Sequence, residues 1–176
     1  MADTLFSLAE GIRKCTACPL WRSRTLAVPG EGAGKIMVVA EAPGVEEDRT
    51  GKLFMGRSGK FLDEMLKMAG LDRKNIFLTG SVKCHPPQNR KPVSRELKTC
   101  KELWLDKQMS MVEPELIVVL GGVALKSLLN KSKVDDLHGK LIDGKYFVTY
   151  HPAAAMRFPS VRKKMEEDMT VLKRLL

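Results

Sequence analysis

The side chains best suited to chemistry are four cysteines, a cluster of acids after an apolar run, and one histidine at the end of another. Cys15 and Cys18 are two residues apart, so both sulfurs can turn toward one centre, and Pro19 keeps the backbone turned. With Cys84 and Cys100 they make four thiols, the number that closes a tetrahedral zinc site or holds a four-iron cluster. Ligand count alone does not choose between them. Disulfides are not expected in an intracellular chain. The acids Glu41, Glu47 and Asp48 lie in a polar stretch, Glu41 to Gly59, that also holds several glycines and one aromatic ring, Phe54. His151 follows the apolar run Tyr146 to Tyr150. Acids and an imidazole carried on loops suit proton transfer and the stabilisation of developing charge.

Strands and helices must bring these residues together. Leu5, Leu8, Ala9 and Ile12 share one helical face, with Asp3 or Thr4 as its cap. That helix runs into Cys15, beside Trp21 and the basic Arg13, Lys14, Arg22 and Arg24, which are placed to cover a metal centre and face an anion. Ile36 to Ala40 reads as a strand, followed by a long irregular loop and a helix from about Ser58 that Gly70 stops. Gly30-Glu-Gly-Ala-Gly34 precedes its strand, so it is not a dinucleotide loop. Ile76 to Val82 is a second strand, leading into Lys83-Cys-His-Pro-Pro-Gln-Asn-Arg-Lys-Pro92. One helix is expected from Ser94 to about Val112, carrying Cys100. Leu116 to Leu120 is a strand buried on both faces, and Gly121 to Leu129 a helix. Asp143-Gly144 marks a hairpin turn before the last strand. A final helix spans Ser160 to Leu176.

Strands alternating with helices predict a three-layer α/β/α sandwich with a mostly parallel, four-stranded central sheet, formed by residues 1–176 as one domain. Loops after Ala40, Val82 and Tyr150 then meet at one edge of the sheet, where ligands of open α/β sheets bind. Lysine and arginine number 30 against 21 acids, a net charge of +9, which favours a polyanionic partner. No apolar run approaches the ~20 residues of a bilayer span. Met1-Ala-Asp-Thr lacks the basic head of a secretory signal, so a cytoplasmic monomer is expected.

In combination these pieces resemble the iron-sulfur uracil-DNA glycosylases, known as family 4. The resemblance rests on Cys15-x-x-Cys18; Glu41-Ala-Pro-Gly-x-x-Glu-Asp48 with Gly51-Lys-Leu-Phe54 and Gly56-x-x-Gly59; Lys83-Cys-x-Pro-Pro-x-Asn-Arg-x-Pro92; Cys100; and His151-Pro-Ala-Ala-x-x-Arg157. It covers nearly the whole chain. It implies a [4Fe-4S] cluster on Cys15, Cys18, Cys84 and Cys100, within a subregion of about residues 13–24 and 83–100. It implies hydrolysis of the N-glycosidic bond of a deaminated base flipped out of DNA, leaving an abasic site. Phe54 stacks on the base in this reading, and His151 bonds the departing base. Glu41 or Glu47 serves the water side, with Glu47 preferred and Asp48 as a third option. Ala42 reads base carbonyls through its backbone, and Asn89 holds the pocket or the substrate backbone. Lys83 and Arg90 bind phosphate, while Met156 and Arg157 fill the gap left by the base.

One position departs from the family pattern. Where members usually carry a base-reading asparagine, this chain has Gly80, in Thr79-Gly-Ser-Val-Lys-Cys84. Ser81, backbone groups or a water would have to replace the contact. The expectation is that uracil is still excised with weaker discrimination. The alternatives are a shift toward a larger base such as hypoxanthine, or a lesion-binding module with little turnover.

Overall fold

The computed structural model describes residues 4–176. Among them, six strands form one sheet: β1 (Glu31–Gly32), β2 (Ile36–Ala40), β3 (Ile76–Gly80), β4 (Leu116–Leu120), β5 (Leu141–Ile142) and β6 (Tyr146–Thr149). Their spatial order is β1-β3-β2-β4-β6-β5. The inner four are the expected strands and are parallel, with Val38 opposite both Leu78 and Val118, and Val119 opposite Val148. The two additions are antiparallel edge strands of two residues each, too short to leave an alternating pattern in sequence. The Asp143-Gly144 hairpin forms as expected, with both residues left-handed at φ 51° and 64°.

Among the described residues, eight α-helices accompany the sheet: α1 (Leu5–Lys14), α2 (Val45–Thr50), α3 (Arg57–Met68), α4 (Ser94–Cys100), α5 (Asp106–Val112), α6 (Gly121–Leu129), α7 (Pro152–Arg157) and α8 (Pro159–Leu175). Side chains alternate across the inner four strands, and both faces of these strands are buried. On one face Val38, Ala40, Leu78, Val118, Leu120 and Phe147 pack with Leu62 and Leu66 of α3 and Met165, Met169 and Leu172 of α8. On the other, Met37, Val39, Phe77, Ile117, Val119 and Val148 pack with Val112 of α5 and Ala124 and Leu125 of α6. This is the three-layer arrangement. A third apolar cluster joins Leu8 and Ile12 of α1 to Leu20, Val82, Cys84, Leu97 and Cys100. No helix among the described residues is long and apolar enough to cross a membrane.

Thr4 caps α1, accepting from the Ser7 amide at 3.1 Å, while Ser7 Oγ accepts from the Thr4 amide at 2.9 Å. Asp3, the alternative cap, lies outside the described residues. Three expectations are corrected. The loop after β2 is not irregular throughout: Glu46, Glu47 and Asp48 stand in the first turn of α2, where negative charge suits the helix dipole. The helix expected over 94–112 is interrupted by a π-helical turn, Lys101–Leu105, directly after Cys100. The His151 stretch is helical rather than open, because Pro152 occupies the first helical position, where its missing N–H does no harm.

Candidate active site

The carboxyl ends of β2, β3 and β6 deliver their loops to one cavity of about 340 Å³, lined by Glu41, Ala42, Gly44, Glu47, Phe54, Ser58, Pro86, Asn89, Arg90 and His151 among others. Residues more than a hundred positions apart therefore share one site. The rings of Phe54 and His151 are neighbours in it, with centroids 6.1 Å apart and planes inclined by 29°.

Phe54 is held in an unusual backbone conformation, φ 51°, and is only 7% exposed. Two features fix it. Arg73 donates to the carbonyls of Leu53, Phe54 and Gly59 at 3.1, 2.9 and 3.2 Å, and also pairs with Asp63. Gly59 lies so close beneath that a Cβ there would stand 1.8 Å from the Phe54 carbonyl oxygen. The ring is thus presented by a clamped turn rather than a free loop. Nothing in the sequence pattern marks Arg73 for this task.

His151 caps the amino end of α7. Its Nδ1 accepts from the Ala153 amide at 3.2 Å. Burial pushes its pKa down to about 4, against a smaller upward pull from the Glu47 carboxylate. The ring is neutral at pH 7, and since Nδ1 accepts, the hydrogen sits on Nε2. Gly121 stands behind it at φ +84°, where a Cβ would lie 2.9 Å from His151 Cβ. The strand end that carries His151 is tied by Thr149 Oγ1 donating to Asp168 at 2.7 Å and Tyr150 Oη donating to Asp135 at 2.7 Å.

The two glutamates differ. Glu47 accepts from the amides of Gly44, Met55 and Gly56 at 3.1, 2.8 and 3.4 Å, so it ties the start of α2 to the Phe54 loop. Glu41 is half-buried at the cavity wall, and burial raises its pKa, with Lys91 pulling the other way. Asp48 does not line the cavity: it is buried and accepts from the Thr25 amide with both oxygens, at 2.9 and 3.0 Å.

Other expected contacts are redistributed. Lys83 is 2% exposed, and its ammonium donates to Thr79 Oγ1, the Gly80 carbonyl and Gln108 Oε1 at 2.6–2.7 Å. It has no surface to offer a phosphate, and burial lowers its pKa to about 8. Ser81 is fully buried, and its hydroxyl donates to the Ala40 carbonyl at 2.7 Å. Gly80 lies behind Ala42, and neither Gly80 nor Ser81 lines the cavity. Asn89 does line it, with Oδ1 2.8 Å from His85 Nε2. Arg90 grips Glu96 with both terminal nitrogens, at 2.9 and 2.7 Å, so much of its guanidinium is already engaged. Met156 and Arg157 end α7 at the surface, where Arg157 lies 5.2 Å over the ring of exposed Phe158.

All four cysteines line a second, small cavity with Ile12, Lys83 and Trp104. Trp104 Nε1 donates to Cys15 Sγ at 3.2 Å and Arg24 donates to Cys84 Sγ at 3.1 Å. Such N–H donors to sulfur are the surroundings that metal-bound thiolates use. Burial raises the thiol pKa of Cys18 and Cys84 and carries that of Cys100 to about 12. Among the described residues no three ligating side chains stand at the spacing of a ready-made single-ion site. The tryptophan in this cavity is Trp104, not Trp21 as expected. Its place four residues after Cys100 on the same helical run was the available signal.

A family model described as the uracil DNA glycosylase superfamily matches residues 29–173. The chain is 42% identical to the type-4 uracil-DNA glycosylase of Sulfurisphaera tokodaii, over 98% of this chain and 85% of that protein. It is 39% identical to the Saccharolobus solfataricus enzyme of the same description, over 99% and 87%. The Thermotoga maritima counterpart is 39% identical over 92% and 89%. With the strand-end loops, the clamped aromatic ring and the neutral imidazole in one cavity, these matches place the chain in the uracil DNA glycosylase superfamily, on its type-4 branch.

Proposed function

We propose that this protein is a DNA-repair glycosylase that removes uracil from DNA. It acts as a cytoplasmic monomer, flipping the nucleotide into the 340 Å³ cavity and hydrolysing its glycosidic bond. The observation that carries this reading is the convergence of Phe54 and His151 on that cavity from opposite ends of the chain. Phe54 stacks on the pyrimidine. As the bond from C1′ to the base breaks, its electron pair passes to the base and positive charge develops on the sugar. His151 Nε2–H donates to the base carbonyl that gathers the negative charge, and neutrality suffices for this. Water adds to C1′ and gives up a proton, leaving an abasic site and free uracil.

Glu41 is the carboxylate we assign to the water side, in place of the preference for Glu47. Glu47 is held by three amides, whereas burial raises the pKa of Glu41 and so favours its taking a proton from water. With Ser81 turned onto Ala40, the contact missing at Gly80 falls to backbone or water, and the Ala42 backbone and Asn89 remain to read the base edge. Discrimination against other bases is correspondingly weaker, since a site without a base-edge contact loses its strongest means of rejection. No feature of the cavity favours hypoxanthine or a binding-only role over uracil. Met156, Arg157 and the exposed Phe158 fill the stack, and Arg157 adds charge toward phosphate.

Cys15, Cys18, Cys84 and Cys100 would hold a [4Fe-4S] cluster, whose contribution is structural. It ties the end of α1 to the Lys83–Pro92 loop that walls the base cavity. Four thiols lining one cavity, with N–H donors from Trp104 and Arg24 to two of the sulfurs, support such a site. The test is release of free uracil from a labelled oligonucleotide, with His151→Ala alongside. Release by wild type and its collapse in the variant support the reading; an intact substrate with wild type overturns it.

A further inference from the structure

Trp21 has no task in the lesion pocket or the cysteine cavity, yet it is 41% exposed with the Arg22 guanidinium 5.8 Å from its ring centroid. A large aromatic ring left in solvent beside a cation is the combination that holds an unpaired base, the ring by stacking and the cation by its attraction to phosphate. Its neighbours are basic: Arg13 and Lys14 end α1, and Arg24 donates to the Arg13 carbonyl at 2.9 Å. Among the described residues no salt bridge engages Lys14 or Arg22. The position is also continuous with the lesion pocket. Ser23 Oγ lies 3.4 Å from the His85 carbonyl, and His85 contacts Asn89, which lines the base cavity.

We propose that Trp21 and Arg22 form a shelf that stacks an unpaired base of the same DNA strand beyond the flipped nucleotide, so that single-stranded DNA is engaged at two places. This rests on the glycosylase reading for the identity of the strand. A paired base presents no free face to an aromatic ring, so the shelf acts on single strands and not on duplex.

The experiment compares wild type, Trp21→Ala and Trp21→Phe. Uracil release is followed from single strands carrying the uracil at one end, extended stepwise to the 5′ or 3′ side, and from the corresponding duplexes. In wild type, KM falls about 5- to 150-fold once the extension on one side reaches the shelf, the range set by base–aromatic stacking. Trp21→Ala abolishes that gain with kcat unchanged, Trp21→Phe keeps most of it, and duplex values do not move. Tryptophan fluorescence is titrated in parallel with a uracil-free single strand: quenching in wild type that disappears in Trp21→Ala supports the shelf even if no uracil is released. Equal KM gains and equal quenching in wild type and Trp21→Ala overturn it.

Discussion

His151 shows how burial sets a reactive group. Desolvation holds its pKa near 4, so the ring stays neutral through the physiological range, and the Ala153 amide leaves the hydrogen on Nε2. His151→Ala is expected to slow single-turnover uracil release by about 10²–10³-fold, the effect of losing one prearranged donor to developing negative charge. Wild-type activity should show no histidine step near pH 6.5. Because the folded pKa is depressed, the unfolded chain binds the proton first, so this group's contribution to stability is complete above pH 6.5 and is lost as pH falls to about 4. Acid unfolding of wild type against His151→Gln measures that difference. Arg73→Ala leaves three carbonyls of the Phe54 turn without their donor. It should lower stability by about 1–3 kcal/mol in a denaturant titration and weaken substrate binding, although Arg73 does not line the base cavity. His151 and Glu41 were legible in sequence as an imidazole and an acid at strand ends, and Phe54 as the one ring in the stretch after β2. Arg73 was not, because its partners are carbonyls, which leave no trace in residue types. Lys83 was misread because a lysine beside a loop looks solvated, and only packing reveals that Gln108 and Thr79 enclose it.

At the scale of elements, the inner strands were readable because their apolar runs are buried on both faces. The edge strand β1 was not, being shorter than any period, and β5 was signalled only by the Asp143-Gly144 turn that joins it to β6. The short α2 escaped notice because its polar sequence carries no apolar face, and its helical form depends on first-turn acids and on Glu47 reaching back to Gly44. The junction between β4 and α6 sets how closely the sheet edge approaches His151. Gly121→Ala should therefore both destabilise the fold and slow uracil release, since its Cβ would meet His151 Cβ at a left-handed position. Gly144→Ala is the control: its φ is 64°, but nothing lies within 4 Å of the added carbon. Melting temperatures should fall for both variants, while single-turnover rates should fall only for Gly121→Ala.

Across the molecule, one loop walls both cavities. The Lys83–Pro92 loop lends Lys83 and Cys84 to the cysteine cavity and Pro86, Asn89 and Arg90 to the base cavity, so whatever fixes the cysteines also fixes one side of the base site. Loss of the proposed cluster by chelation, or Cys100→Ser, is expected to release α1 and weaken DNA binding before the sheet unfolds. Iron and sulfide analysis with hydrogen exchange checks this: early exchange should be confined to α1 and the Cys84–Cys100 region. Pairing of Cys15 and Cys18 with Cys84 and Cys100 was suggested by count and spacing, whereas the shared wall required the third dimension. The most direct test of the site is a crystal structure with free uracil. The pyrimidine should lie against the Phe54 ring with a carbonyl oxygen within hydrogen-bond distance of His151 Nε2; uracil bound elsewhere, or turned so that His151 faces no carbonyl, would rule out the proposed site.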